Sequence, residues 1–350
     1  VYPIGAGVKK TKATAKQKTK ATIQKRKVKK MRKDRMKEIR VKESRGVQSY
    51  HGHNFHSESY AMEGFTKNYY YTSDRKIELT ADYQRIDGKA MKGYGFEIET
   101  ESFEGMGTDV LAEVYERVIF PMFPNGLFKM QTDASLGGGI ATGSAECITQ
   151  VMTKEAVRNS YPAFKAMFDK YFKAFHISAS KTGNCGMHIN ISNACFGNTE
   201  KAQEMAIRKL HYIVNKHFNT ICALVRRNPN RTDYCRQMEY RDIRTRAIES
   251  IPVGHRICFN WDHYKSGRIE LRIVGGQKNF ATFRNTVESV FHLVDRVKDI
   301  SWKDCDSLVK VFEGCNNYVY DRLRLVNEEG YLSNADLNAI ESTVKTVEYL

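Results

Sequence analysis

Residues 93–101 read Gly-Tyr-Gly-Phe-Glu-Ile-Glu-Thr-Glu, so Glu97, Glu99 and Glu101 alternate with Phe96, Ile98 and Thr100. A period of two is that of a β-strand, in which successive side chains point to opposite faces. The stretch therefore predicts a strand with one face in a core and three carboxylates on the other, roughly 6.6 Å apart. Like charges at that spacing repel. Such a row persists either because water screens it on an exposed face or because divalent cations neutralise it.

Three further segments follow the same rule. Residues 186–192 set Met187, Ile189 and Ile191 against His188, Asn190 and Ser192; residues 256–261 set Ile257, Phe259 and Trp261 against Arg256, Cys258 and Asn260; residues 268–273 set Ile269, Leu271 and Ile273 against Arg268, Glu270 and Arg272. An antiparallel sheet with one wet face produces such alternation without any function. A merely wet face mixes Lys, Thr, Glu and Gln freely, whereas the polar faces of these four segments contain no Lys. Carboxylates with a histidine suit hard or borderline divalent ions, and arginine offers a fork of donors to phosphate oxygens. Together these are the parts of a metal-nucleotide site. Asp133-Ala-Ser135, followed by Leu136-Gly-Gly-Gly139 and by Glu146, adds a flexible loop beside them. A glycine triplet alone is a turn, and this one has neither the lysine nor the spacing of a P-loop.

Charge is distributed unevenly. Residues 1–45 hold 18 Lys and Arg against three acids, a net +15 of the chain's +16, so the remainder is almost neutral. Such a segment has too little apolar surface to offset its ordering entropy, which predicts a disordered tail that is either a solvated appendage or an arm for DNA, RNA or another polyanion. Residues 46–92 form a connecting region, in which His51, His53 and His56 have no Cys or carboxylate at a standard zinc spacing and read as a polar loop. No run of about 18 apolar residues is present, which argues against a membrane-spanning helix. The eight cysteines lack C-x-x-C spacing and read as reduced, mostly buried thiols in a cytoplasmic setting, although their even number leaves disulfides open.

From residue 93 to 350 the pattern is that of one α+β domain. Apolar residues spaced by three and four predict helices over Val110–Val118, Met205–Ile221 and Val287–Val297. Asn198 and Thr199 are candidate caps of the second, which opens a helical insert at about 195–250.

The order of these motifs, Gly95-Phe-Glu97-Ile-Glu99, Asp133-x-Ser135 with Glu146, Cys185-Gly-Met-His188-Ile-Asn190, Arg231-x-x-x-Cys235, Arg256 with Asn260, and Glu270-Leu-Arg272 with Gly275 and Gly276, resembles the amidoligase family. That family belongs to the glutamine synthetase and glutamate-cysteine ligase superfamily of carboxylate-amine ligases. The resemblance spans roughly residues 93–300. It implies a curved, mostly antiparallel sheet of the glutamine synthetase type, with helices on its convex face and with ATP and Mg²⁺ or Mn²⁺ on its concave face. It further implies that Glu97, Glu99, Glu146, His188 and Glu270 hold metal, and that Arg272, Arg256 and Asp133 serve catalysis. Arg231, Ser135, Asn190 and Asn260 would contact the nucleotide. Many relatives carry a second histidine where Asn190 stands, and an asparagine carbonyl can still take Mg²⁺. The activity implied is formation of an amide or isopeptide bond, through an acyl phosphate, between carboxylate and amine substrates that include peptides or proteins. No general base is identified beyond the candidates Asp133 and Glu101. Because the family occurs in phages, a virion-associated or nucleic-acid-bound protein with an inactive ligase-like domain is the alternative. Guanidino kinases share the superfamily's fold but fit the His-x-Asn and Glu-x-Arg motifs less well.

Overall fold

The computed structural model describes residues 92–102, 111, 114–123, 128–131, 144–149, 151–179, 185–230 and 233–349, all within one unit, Tyr50–Leu350. The basic tail, the histidines at 51, 53 and 56, and the candidates Asp133, Ser135 and Arg231 lie outside the described residues.

The architecture is α+β, built on an open antiparallel sheet. Its strands are β1 (Tyr94–Ser102), β2 (Phe128–Gln131), β3 (Ser144–Thr149), β4 (Ile177–Ser178), β5 (Met187–Ser192), β6 (Phe259–Asn260) and β7 (Arg268–Leu271). They lie in the order β2-β3-β1-β5-β7-β6, with β4 pairing on the C-terminal end of β1. The four alternating segments thus become β1, β5, β6 and β7, though β6 keeps only two residues of ladder.

The apolar halves of the alternation form one side of the core. Phe96, Ile98, Cys147, Met187, Ile189, Ile191, Phe259, Ile269 and Leu271 are all buried. Helix α5 (Phe280–Asp299), numbered after α1 (Lys154–Asn159), α2 (Tyr161–Ala166), α3 (Glu200–Lys216) and α4 (Phe218–Leu224), supplies the facing side. Its Phe291 ring lies 4.5 Å from Tyr94 and its Phe283 ring 5.8 Å from Phe96, while Phe164 of α2 closes on Phe283 at 4.6 Å. Each such fully buried ring contributes about 2–3 kcal/mol. These contacts put helices on the apolar face and leave the polar face for chemistry.

Helix ends follow local rules. Thr199 caps α3 by accepting from the Ala202 N–H, and Asn279 with Thr282 forms a reciprocal capping box at the start of α5. At 111–119 the expected helix is only partly regular, for Leu111 and Val114 are helical and Tyr115–Ile119 is wound as a π-helix. Helix α4 ends earlier than Pro229 requires. There the Arg227 N–H donates to Cys222 O at 2.8 Å and the Arg226 N–H to Ala223 O at 3.1 Å, a Schellman closure with Arg226 in the left-handed conformation at φ 64°. A residue with a Cβ pays about 1–2 kcal/mol for that conformation.

The long helix α5 also carries a charge that its apolar stripe does not foretell. Glu288 has no exposed side-chain surface and accepts from Arg158 through both oxygens, at 3.0 and 2.9 Å, from the Tyr161 hydroxyl at 2.7 Å and from Asn316 at 3.0 Å. It ties α1, α2 and the N-cap of α7 (Asn317–Glu328) to α5; α6 (Leu308–Phe312) precedes α7 and α8 (Asn334–Glu341) follows it. All eight cysteines are buried and free.

Candidate functional site

Register decides which polar residues meet. Across the β1–β3 ladder Glu99 stands opposite Glu146, and across β1–β5 Glu97 stands opposite His188. Across β5–β7 Asn190 faces Glu270, which faces Asn260 of β6 on its other side. Directly opposed residues share a face, so segments as far apart in sequence as 97 and 270 converge on one surface.

His188 is at the centre. Its Nδ1 lies 3.1 Å from Glu97 Oε2, 3.6 Å from Glu270 Oε1 and 4.0 Å from Glu146 Oε1, and its Nε2 lies 3.5 Å from Glu99 Oε1. Burial opposes a charge on this imidazole, but the hydrogen bond with Glu97 and the field of Glu99 outweigh it and raise its pKa. Burial likewise opposes ionisation of Glu97. The hydrogen bonds from His188 and Asn190, with the charge of Arg272, prevail and pull its pKa down to about 2.

The carboxylates are held individually. Asn190 donates through Nδ2 to Glu97 Oε1 at 2.7 Å, and the backbone N–H of Gly186 donates to Glu99 Oε2. Arg272 Nη1 donates to Glu270 Oε1 at 2.6 Å and lies 3.4 Å from His188 Nδ1, while Asn260 Nδ2 donates to Glu270 Oε2 at 3.0 Å. Asn260 is itself fixed, because its Oδ1 accepts from the N–H groups of Gly254 and Asp262 at 3.3 and 3.1 Å. The guanidinium of Arg272 is further anchored by Nε on His255 O at 3.0 Å. Asn260 and Arg272 therefore orient Glu270.

Part of the site could hold a metal ion. Glu97, Glu146 and His188 each offer a ligand atom, and these atoms all lie within 4.8 Å of one another. The Asn190 Oδ1 is buried without a hydrogen-bond partner, an acceptor that faces no donor among the described residues. An oxygen-rich set with one imidazole suits Mg²⁺ or Mn²⁺ better than a thiophilic ion.

Of the residues singled out from sequence, Glu97, Glu99, Glu146, His188, Asn190, Asn260, Glu270 and Arg272 come together. Arg256 is exposed and its guanidinium lies 6.0 Å over the Tyr234 ring. Glu101, a candidate general base, is buried, because β3 and β4 flank it with Ser144 and Ser178. Two participants escaped the sequence reading. Gly186 acts through its backbone, and a Cβ there would lie 2.9 Å from Arg227 Nη2 and 3.2 Å from Glu99 Oε2. Arg227 thus reaches the edge of the cluster, held by Val274 O at 2.8 Å. Its only sequence signal was the Arg226-Arg227 pair ahead of Pro229.

No protein-family model matches the chain, and no curated protein matches it.

Proposed function

We propose that this chain is an ATP- and Mg²⁺-dependent carboxylate-amine ligase, with a sheet of the curved glutamine synthetase type. The observation that carries this reading is the convergence of Glu97, Glu99, Glu146 and Glu270 on His188, with nitrogen–oxygen distances of 3.1 to 4.0 Å. A surface salt bridge needs two partners. Four buried or half-buried carboxylates around one imidazole have excess negative charge, which a bound divalent cation would offset.

When bound, Mg²⁺ and ATP would supply a neutralised γ-phosphoryl group that passes to a carboxylate with departure of ADP, giving an acyl phosphate from which an amine displaces phosphate to leave an amide. The chain's own residues would act around that chemistry. Glu97, Glu99, Glu146, Glu270 and His188 would hold the metal, and the Gly186 N–H and the Asn190 and Asn260 amides keep three of the carboxylates in fixed orientation. Arg272 lies close enough to offset negative charge that develops beside Glu270. Arg256 and Arg231 would meet phosphate oxygens, with Ser135 near the nucleotide. Glu101, on the same face as Glu99 and two residues beyond it, and Asp133 are the candidates to take the amine's proton. The basic tail would separately bind DNA or RNA.

The test is ATP hydrolysis against a panel of amines and carboxylates, peptides included, alongside thermal stability with Mg²⁺-ATP. A nucleotide-dependent rise in melting temperature that Glu270→Ala abolishes is expected. A wild-type protein whose melting is indifferent to Mg²⁺-ATP would overturn the reading.

A further inference from the structure

A second chemical environment adjoins the carboxylate cluster. Where β4 and the start of β5 meet the turn after α4, a cavity of about 570 Å³ is lined by Lys173, Arg226, Arg227 and Lys278 on a floor that includes Phe168 and Phe172. No acid is among the described residues that line it. Arg226 and Arg227 are half-buried and Lys173 and Lys278 are exposed, so the lining is net positive and favours the entry of an anion. The volume is that of an ordinary small-molecule site. A neighbouring cavity of about 450 Å³ shares Arg226 and Arg227 and adds Arg322, which pairs there with Glu329 at 3.7 Å.

Arg226 and Arg227 are held in place by their surroundings. Arg226 occupies the left-handed closure of α4, the position where glycine is favoured, and its Nε is buried without a hydrogen-bond partner. The wall behind it is set by close backbone approach, since a Cβ on Gly275 would lie 2.1 Å from Arg226 O and one on Gly276 would lie 1.9 Å from Ala179 O. Arg227 is braced on Val274 O at 2.8 Å and stands between the cavity and Glu99.

We propose that this cavity binds a small molecule bearing at least two oxyanion groups, carboxylate or phosphate, with a flat or apolar body against Phe168 and Phe172, and that Arg227 marks where the ligand meets the carboxylate cluster. The assignment of that ligand as a substrate rests on the ligase reading; the anion site itself does not.

The experiment is calorimetric titration of the full chain with tricarballylate and, separately, with pyrophosphate, in low-salt buffer stripped of divalent cations over a chelating resin. The expected result is one-to-one binding of at least one probe with Kd below about 1 mM, weakened about tenfold or more in Arg226→Gly and in a Lys173→Glu/Lys278→Glu double variant. Preference for tricarballylate identifies a polycarboxylate ligand, and preference for pyrophosphate identifies a phosphorylated one. Arg226→Gly suits the backbone at φ 64° and should melt at or above the wild-type temperature, which separates lost binding from lost folding. Binding of neither probe, or binding undiminished in both variants as adsorption to the basic tail would give, overturns the proposal. Because no divalent cation is present, this result and that of the Mg²⁺-ATP experiment can fail independently.

Discussion

Replacing Glu97 with Gln tests whether the carboxylate row is held by its own partners before any metal arrives. In the folded chain the pKa of Glu97 is pulled from 4.5 to about 2 by His188, Asn190 and Arg272 against the cost of burial. A depression of this size corresponds to about 3 kcal/mol favouring the ionised carboxylate in the folded state at neutral pH. The side chain is 22% exposed, so solvent screening brings the expectation to roughly 2–3 kcal/mol. The sign follows from the direction of the shift: the stabilisation is fully present above the unfolded value of 4.5 and is lost as pH falls towards about 2. Glu97→Gln should therefore lower the unfolding free energy in urea by that amount at pH 7 in metal-free buffer. Near pH 2 the two proteins should differ little. With saturating Mn²⁺ the gap should widen, because a ligand at about 100 times its Kd adds about 2.7 kcal/mol to wild type alone. A variant as stable as wild type or more so in metal-free buffer would refute the reasoning. It would mean that repulsion among the carboxylates outweighs their pairing with His188 and Arg272.

Glu288→Ala should cost about 3–5 kcal/mol in chemical denaturation, since it strands the Arg158 guanidinium, the Tyr161 hydroxyl and the Asn316 amide that converge on this carboxylate. Acid should act through His211, which is fully buried and neutral, donating from Nε2 to Glu239 O at 3.1 Å and accepting from Trp261 at 3.0 Å on Nδ1. Burial first, and then nearby arginines, depress its pKa from 6.5 to about 4. The unfolded state then binds more protons between those values, so stability should fall by up to about 3 kcal/mol from pH 6.5 to 4 and His211→Gln should flatten that slope in denaturant titrations. Deleting residues 1–45 should abolish salt-sensitive DNA binding in a filter or mobility assay while the Mg²⁺-ATP thermal shift survives, and loss of both together would contradict a modular tail.

Local chemistry made much of this protein legible. Alternation assigned Glu97, Glu99, His188, Asn190, Glu270 and Arg272 to polar strand faces, because the period of a strand is fixed by its backbone. The stripe from Val287 to Val297 and the cap at Thr199 placed α5 and α3 by equally local rules. Glu146 was a weaker inference, as it came from motif order and a glycine loop. Period two assigns a face but no neighbour, so the meeting of Glu97 with His188 and of Glu99 with Glu146 depended on β1 lying between β3 and β5. Sheet order and register are set by long-range packing, above all by which apolar face α5 covers, and a one-residue slip would have turned the cluster into the core. The same long-range packing made Glu288 tolerable inside α5 and kept Glu101 out of water. Arg226 and Arg227 looked like an ordinary dibasic pair at a helix end; only the approach of Gly275 and Gly276 in the folded chain turned them into the wall of a cationic cavity.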